Sequence, residues 1–219
     1  MDLFFVRHAR TSANSAQMIA GGQSDIPISP EGEAAARELA ASDKFAAFCR
    51  RFPGGYPRRI RVSPMIRAQQ TAGILFPRSE QVMVEGLREM CFGIFEGRLQ
   101  RDLDGDPEFE AWKHSDDDTK MPGGESINGC CDRITATLAE LVRAADPSEP
   151  LVVVSHGGVA MSIYYRYIEP DQPFFHHYLP NCGIRHFDCR TKDGMFSLAY
   201  VDSPLEKIDT FTEFLNKAS

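Results

Sequence analysis

The 219-residue chain is 42% hydrophobic and 25% charged, with a net charge of −7 and a pI of about 5.4, a balance that suits one ordinary globular domain. The acidic charge disfavours a general nucleic-acid binder, and no apolar run approaches the ~20 residues of a membrane span. A core of this size needs no disulfide or structural metal to hold it.

Residues 3–6 are a short apolar run that reads as a buried strand, and it ends in Arg7-His8. Four apolar residues before Arg7 are also too few for the apolar stretch of a signal peptide. A polar loop with Gly21, Gly22 and Pro27 follows. Ser29-Pro30-Glu31 then opens a helix: Ser29 as N-cap, Pro30 at the first helical position, Glu31 near the positive end. The alanine-rich stretch to Ala41 continues it, and Pro53, Gly54, Gly55 and Pro57 break the chain.

Residues 59–62 read as a second strand, and Ser63-Pro64 repeats the cap pattern, opening a helix to about Phe76. Residues 81–84 read as a third strand. Residues 98–121 form an acidic, irregular insertion near the proposed site, with Asp116, Asp117 and Asp118 in a row. A solvated loop and a flap over a substrate fit that stretch equally well.

Ile127, Cys131, Ile134, Leu138, Leu141 and Ala145 recur at spacings of three and four, which predicts an amphipathic helix. Residues 151–154, directly after Pro150, give the strongest strand signal, and a helix is expected from about Gly158 to Tyr167. Residues 184–187 and 196–201 flank a Lys192-Asp193-Gly194 turn, as an antiparallel pair would. Leu205, Ile208, Phe211 and Leu215 predict a closing helix. Strands alternating with helices give one α/β domain over residues 1–219 with a largely parallel sheet. The six cysteines form no CxxC pair and no close His/Cys ligand spacing. Free cysteines packed as small hydrophobes point to a reducing, cytoplasmic compartment.

In open α/β sheets ligands bind beyond the carboxyl ends of the strands. Three strand ends here carry cationic or reactive groups: Arg7-His8, then Ser63 with Arg67 beyond it, then Ser155-His156-Gly157-Gly158. If these strands are adjacent and parallel, the groups meet at one sheet edge and suit a phosphoryl group. Arginine forks match phosphate oxygens, helix starts add positive potential, and the glycines after His156 permit close backbone approach. Neighbouring arginines should keep His8 neutral and nucleophilic. Ser155 lacks the Gly-x-Ser-x-Gly setting of a hydrolase serine, since Val153 stands where the first glycine belongs. There is no Gly-x-x-x-x-Gly-Lys nucleotide loop. His176-His177 reads as a loop or substrate contact rather than a metal site.

These motifs resemble the histidine phosphatase superfamily, also called phosphoglycerate mutase-like. Its opening Arg-His-Gly-x-Thr-x-x-Asn stands here as Arg7-His8-Ala9-Arg10-Thr11-Ser12-Ala13-Asn14. Residues 22–32 match Gly-x-x-Asp-x-Pro-Leu-x-x-x-Gly, with Ile28 for the leucine, and residues 63–72 match Ser-Pro-x-x-Arg-Ala-x-Gln-Thr-Ala. Residues 87–97 match Leu-x-Glu-x-x-x-Gly-x-x-Glu-Gly, and residues 122–126 and 155–158 match Pro-Gly-Gly-Glu-Ser and Ser-His-Gly-Gly. Asn181-Cys182-Gly183 resembles a late asparagine motif.

The resemblance implies a three-layer α/β/α sandwich and assigns roles by position. His8 would accept the phosphoryl group; Arg7, Arg67 and His156 would hold its oxygens, with Asn14 assisting. Glu89 would be the general acid and then the base for water. Gly21, Gly22 and Gly157 would line the substrate. Glu85, Glu96 and Glu125 are rival carboxylates, with capping or surface roles favoured for Glu85 and Glu125. No metal and no cofactor is expected, because arginines supply the charge. The implied partner is a small phosphorylated substrate, with no nucleic acid and no membrane; a homodimer is left open.

Ala9 departs from the family glycine, so crowding of the phosphate or an altered loop is expected there. The resembled mutases carry Arg-His-Tyr-Gly after the acid, whereas this chain has Met90-Cys91-Phe92-Gly93. That looks more like the phosphatase branches, including α-ribazole and broad-specificity phosphatases. The expected activity is phosphomonoester hydrolysis. Mutase-type transfer and a phosphoester-binding protein with weak turnover are the alternatives. Phe92, Phe95, Trp112 and Tyr178 are candidates for an aromatic-tolerant pocket or for core packing.

Overall fold

The structure, a computed structural model, describes residues 1–192 and 195–205. In chain order its elements are β1 (Asp2–Arg7), α1 (Ser12–Ala16), α2 (Pro30–Ala40), α3 (Asp43–Cys49), β2 (Arg59–Val62), α4 (Ile66–Leu75) and β3 (Glu80–Met83). There follow α5 (Pro107–Lys113), α6 (Ile127–Ala144), β4 (Leu151–Ser155), α7 (Gly157–Ile163), β5 (Ile184–Lys192) and β6 (Met195–Leu205).

The sheet order is β3-β2-β4-β1-β5-β6. The first four strands run parallel and β5 and β6 are antiparallel. Alternate residues of one strand face opposite sides of a sheet, and both sides are covered here. Leu3, Phe5 and Val153 pack with Cys131, Ile134 and Leu138 of α6 and Val159 of α7. Phe4, Val6, Val152 and Val154 pack with Phe45 and Phe48 of α3 and Ala72 and Leu75 of α4. Burial on both faces is why β1 and β4 read as unbroken apolar runs. The result is a three-layer sandwich with helices on each side of a mostly parallel sheet.

Ser29 caps α2 as its sequence predicts, its Oγ accepting the Gly32 amide at 3.1 Å. Ser63 does not cap α4. That helix begins two residues later than Pro64, at Ile66, and the exposed Asp25 carboxylate accepts the Ile66 amide at 2.7 Å. The Ser63 hydroxyl is instead shared by the Met65 amide and a histidine ring. The stretch 98–121 is not wholly irregular: Asp106 caps α5 through the Glu108 and Phe109 amides, with Pro107 in its first turn. Helix α3 was not foreseen, although Ser42 caps it.

The helix after β4 closes in a π-helical turn, Tyr164–Ile168. The expected 192–194 turn falls partly outside the described residues. The expected closing helix lies outside them too, save Leu205, which ends β6. Among the described residues no helix is long and apolar enough to cross a membrane, and all six cysteines are free.

Candidate active site

Register brings the strand ends together. Arg7 pairs with Ser155 and Val62 with Val154. The backbone then continues the ladder: the His8 amide reaches Ser155 O at 2.9 Å and the Ser63 amide reaches Val154 O at 3.0 Å. Arg7, His8, Ser63, Ser155 and His156 therefore sit at one edge. Behind them, the Asn181 amide group donates to His8 O at 2.9 Å and the Cys182 amide to Arg7 O at 3.1 Å.

His8 is 3% exposed. Its Nδ1 lies 2.7 Å from Ala9 O. A carbonyl only accepts, so Nδ1 carries the hydrogen and Nε2 of the neutral ring keeps its lone pair. Burial first, then the Arg7 and Arg67 charges, hold the imidazole well below its ordinary 6.5. The expectation that arginines keep it neutral thus holds in direction, with desolvation the larger cause.

His156 is fully buried, its ring centroid 5.2 Å from that of His8. Arg67 Nε donates to its Nδ1 at 3.2 Å, so Nε2 carries the hydrogen, donated to Ser63 Oγ at 2.7 Å. Burial and the same arginines push its pKa down as well. To reach a phosphoryl oxygen this ring must release Ser63.

Arg67, 2% exposed, also donates to Ser24 O at 2.7 Å and Gly21 O at 3.3 Å. Two of its five N–H groups remain. Arg7 donates Nη1 to Leu179 O at 2.5 Å and lies 4.7 Å from the Tyr178 ring centre. Its Nε is buried with no partner among the described residues. A buried donor left unmade costs ~1–3 kcal/mol, which an incoming oxyanion would relieve.

Glu89 is 8% exposed and its carboxylate accepts the Met90 amide at 2.8 Å and the Gly158 amide at 3.0 Å. Burial raises its pKa from 4.5 against the opposing pull of Arg67 and the two amides.

The rival carboxylates have other partners. Glu96 accepts the Gln23 and Phe92 amides and the Ser24 hydroxyl, at 2.5 Å for the last. Glu125 is forked by Arg133, and Glu85 pairs with Arg88 on the surface.

Asn14 spends its Oδ1 on Thr11 in the capping box of α1 and keeps its NH2 group. Gly21 and Gly22 lie against the 89–96 segment. A Cβ at Gly21 would come within 2.5 Å of Met90 O, and one at Gly22 within 2.7 Å of Glu89 O. Packing accounts for both glycines. A Cβ at Gly157 would sit 3.3 Å from Arg7 Cζ.

Ala9 is not strained: Gln17 and Cys182 are the non-glycine residues with positive φ among those described. Its amide donates to Thr71 Oγ1 at 2.8 Å and its methyl is fully buried. Ser155 Oγ donates to Leu87 O at 2.7 Å, a structural bond.

Of the aromatic candidates, Phe95 is buried in the core and stacks edge-on with Phe109. Trp112 packs against Phe175, and Tyr178 meets Arg7. His177 stacks on Tyr164.

Sequence reading missed Ser63 as partner of His156 and Thr71 as partner of Ala9. It also missed the Ser24, Gly21 and Leu179 carbonyls that hold the arginines. Carbonyl partners leave no mark in residue type; Ser63 and Thr71 both lay inside a quoted motif. Among the described residues no group of three or more His, Cys, Asp or Glu side chains is arranged to hold a metal.

A profile of the histidine phosphatase superfamily (branch 1) matches residues 3–201. The "Probable phosphoglycerate mutase GpmB" of Enterobacter sp. (strain 638) is 31% identical over 163 residues, 72% of this chain and 70% of that protein. Phosphoserine phosphatase from Entamoeba histolytica, solved with 3-phosphoglyceric acid, matches with a TM-score of 0.73 at 25% identity, covering 92% of this chain and 96% of that one. The α-ribazole phosphatase of Shigella flexneri matches with a TM-score of 0.70 at 23% identity, over 96% and 100% of the two chains. The last likeness is one of fold.

Proposed function

The chain belongs to the histidine phosphatase superfamily, and from that premise we propose that it hydrolyses phosphomonoesters of small metabolites through a phosphohistidine. The observation that carries this is His8: a buried, neutral ring with Nδ1–H committed to Ala9 O, Nε2 free, and Arg7 and Arg67 close by.

Nε2 attacks phosphorus, and the bond to the leaving oxygen breaks. Glu89, its pKa raised by burial, gives its proton to that oxygen. The arginine N–H groups and the orphan Arg7 Nε stabilise the spreading negative charge. Glu89, now a carboxylate, takes a proton from water as the water attacks phosphorus. The N–P bond breaks, inorganic phosphate leaves, and His8 returns neutral. No step needs a metal, since two guanidinium groups supply the charge.

Mutase-type transfer is the second reading, favoured by the relative at 31% identity. Against it, Met90-Cys91-Phe92 supplies no cation beside Glu89 for a second anionic group. Incubation with a panel of phosphomonoesters separates the two. Hydrolysis gives inorganic phosphate with an acid-labile, base-stable radiolabel on His8. Interconversion of phosphoglycerate isomers without phosphate release would establish the mutase. No product from any ester would leave a binding protein, although the unstrained Ala9 supports turnover.

A further inference from the structure

We propose that the Arg133–Glu125 ion pair is a positioning device for Glu89, setting its carboxyl at the leaving oxygen; this rests on the reading of Glu89 as the general acid. Arg133 lies on α6, and its Nε and Nη2 donate to the two Glu125 carboxylate oxygens, each at 2.8 Å. Both side chains are about three-quarters buried, at 26% and 25% exposure. The same guanidinium donates Nη1 to Gly86 O at 2.9 Å and to Arg88 O at 3.0 Å. Glu125 in turn accepts the Cys91 amide at 2.9 Å, and its own amide donates to Cys91 O at 2.9 Å.

The peptide groups on both sides of Glu89 are therefore tied to one ion pair. Arg88 O is fixed from before and the Cys91 amide from after. Among the described residues the Glu89 carboxylate takes its hydrogen bonds from the amides of Met90 and Gly158. Its carboxyl can be no better placed than the short backbone between Arg88 and Cys91. That backbone is irregular, with no ladder or helix of its own to hold it. A fork bound to carboxylate and carbonyls at once is a geometry that arginine supplies and lysine does not.

A brace that served stability alone would slow every substrate alike. A brace that aims the acid acts where protonation is needed. Alkoxide leaving groups depend on a general acid, and p-nitrophenolate depends on it far less. Misplacing a catalytic group by about 1 Å costs on the order of 10²-fold.

The test is the ratio of single-turnover phosphorylation rates for an alkyl phosphate and p-nitrophenyl phosphate. Arg133→Met should lower that ratio by roughly 10–100-fold, and adding it to Glu89→Gln should lower the ratio no further. If Arg133→Met does not fold, Glu125→Gln keeps the shape, loses the ionic fork and should lower the ratio too. A ratio that stays within about threefold of wild type in the folded variant, with both rates or the stability reduced, overturns the inference. So does a further fall on top of Glu89→Gln. If Glu89→Gln itself leaves the ratio unchanged, the general-acid reading fails first, and the inference with it.

Discussion

Gly158 opens onto Glu89, and adding one methyl group there should disable the acid. A Cβ built on Gly158 lies 2.4 Å from Glu89 Oε1 and 3.2 Å from Met90 Cβ, where ordinary contact begins near 3.4 Å. The carboxyl must therefore move by about 1 Å, and it is not free to swing. It is bonded to the Gly158 and Met90 amides. The shift breaks the Gly158 bond, worth ~1.5–3 kcal/mol at a pH where the carboxyl is ionised. Alanine in place of a helical glycine returns ~0.5–1 kcal/mol, so Gly158→Ala should lose about 0.5–2.5 kcal/mol in urea unfolding. The catalytic loss should be larger in relative terms, roughly 10²-fold on alkyl phosphates for a displacement of about 1 Å. Gly157→Ala makes the control. Its Cβ crowds Arg7 at 3.3 Å, so alkyl and aryl esters should slow together. Single-turnover rates for both variants on both esters decide it. Gly158→Ala retaining its alkyl rate within about threefold would show that the carboxyl does not act from this position.

His8→Ala should abolish turnover with the circular dichroism spectrum unchanged; substantial residual activity would remove the phosphohistidine. Activity should survive dialysis against EDTA, and loss with rescue by one divalent ion would reverse that reading. His8 and His156 are held below the 6.5 at which they titrate unfolded, so below that pH the unfolded chain binds more protons and stability is lost on the acid side. Glu89, with its pKa raised, acts oppositely. Its contribution is present at low pH and lost as pH rises through its folded pKa. The comparison that isolates His8 is the change in urea midpoint from pH 7 to pH 5, which should be smaller in His8→Ala than in wild type. An equal change in both proteins would contradict the neutral, buried ring.

The strand tips were legible because β1 and β4 are buried on both faces, so each apolar run stops abruptly where the backbone reaches the sheet edge. Arg7, His8, Ser155 and His156 stand out at those stops. Ser29 was legible as a cap because its hydroxyl serves its own helix, accepting the Gly32 amide. Ser63 carried the same local signal and was misread, since His156, 93 positions away, takes that hydroxyl. Asp25 caps α4 across a gap of 41 residues, which no local pattern shows. The glycines at 21 and 22 sit where a side chain would meet Met90 O and Glu89 O, a packing demand that no local pattern shows. Glu96 was ambiguous because a carboxylate that fixes a loop and one that moves a proton look alike in one dimension.

The remaining question is how an acidic chain keeps two arginines buried together without neutralising them. A carboxylate fork on Arg67 would satisfy it and also occupy the N–H groups that a phosphoryl oxygen needs. Its partners are instead the neutral Ser24 and Gly21 carbonyls and the lone pair of His156. Arg7 likewise rests on Leu179 O and a Tyr178 ring. The compensating negative charge stands back from the guanidinium: burial works against the charge on Arg67, and Asp25 and Glu96 support it through space. Glu96 has the larger part in geometry, since it holds Gln23 and Ser24, and Ser24 holds Arg67. An arginine gripped by carbonyls is fixed in place while keeping its charge and two of its hydrogens for an anion that arrives and departs. That arrangement suits a phosphoryl group in transit better than a permanent ion pair would.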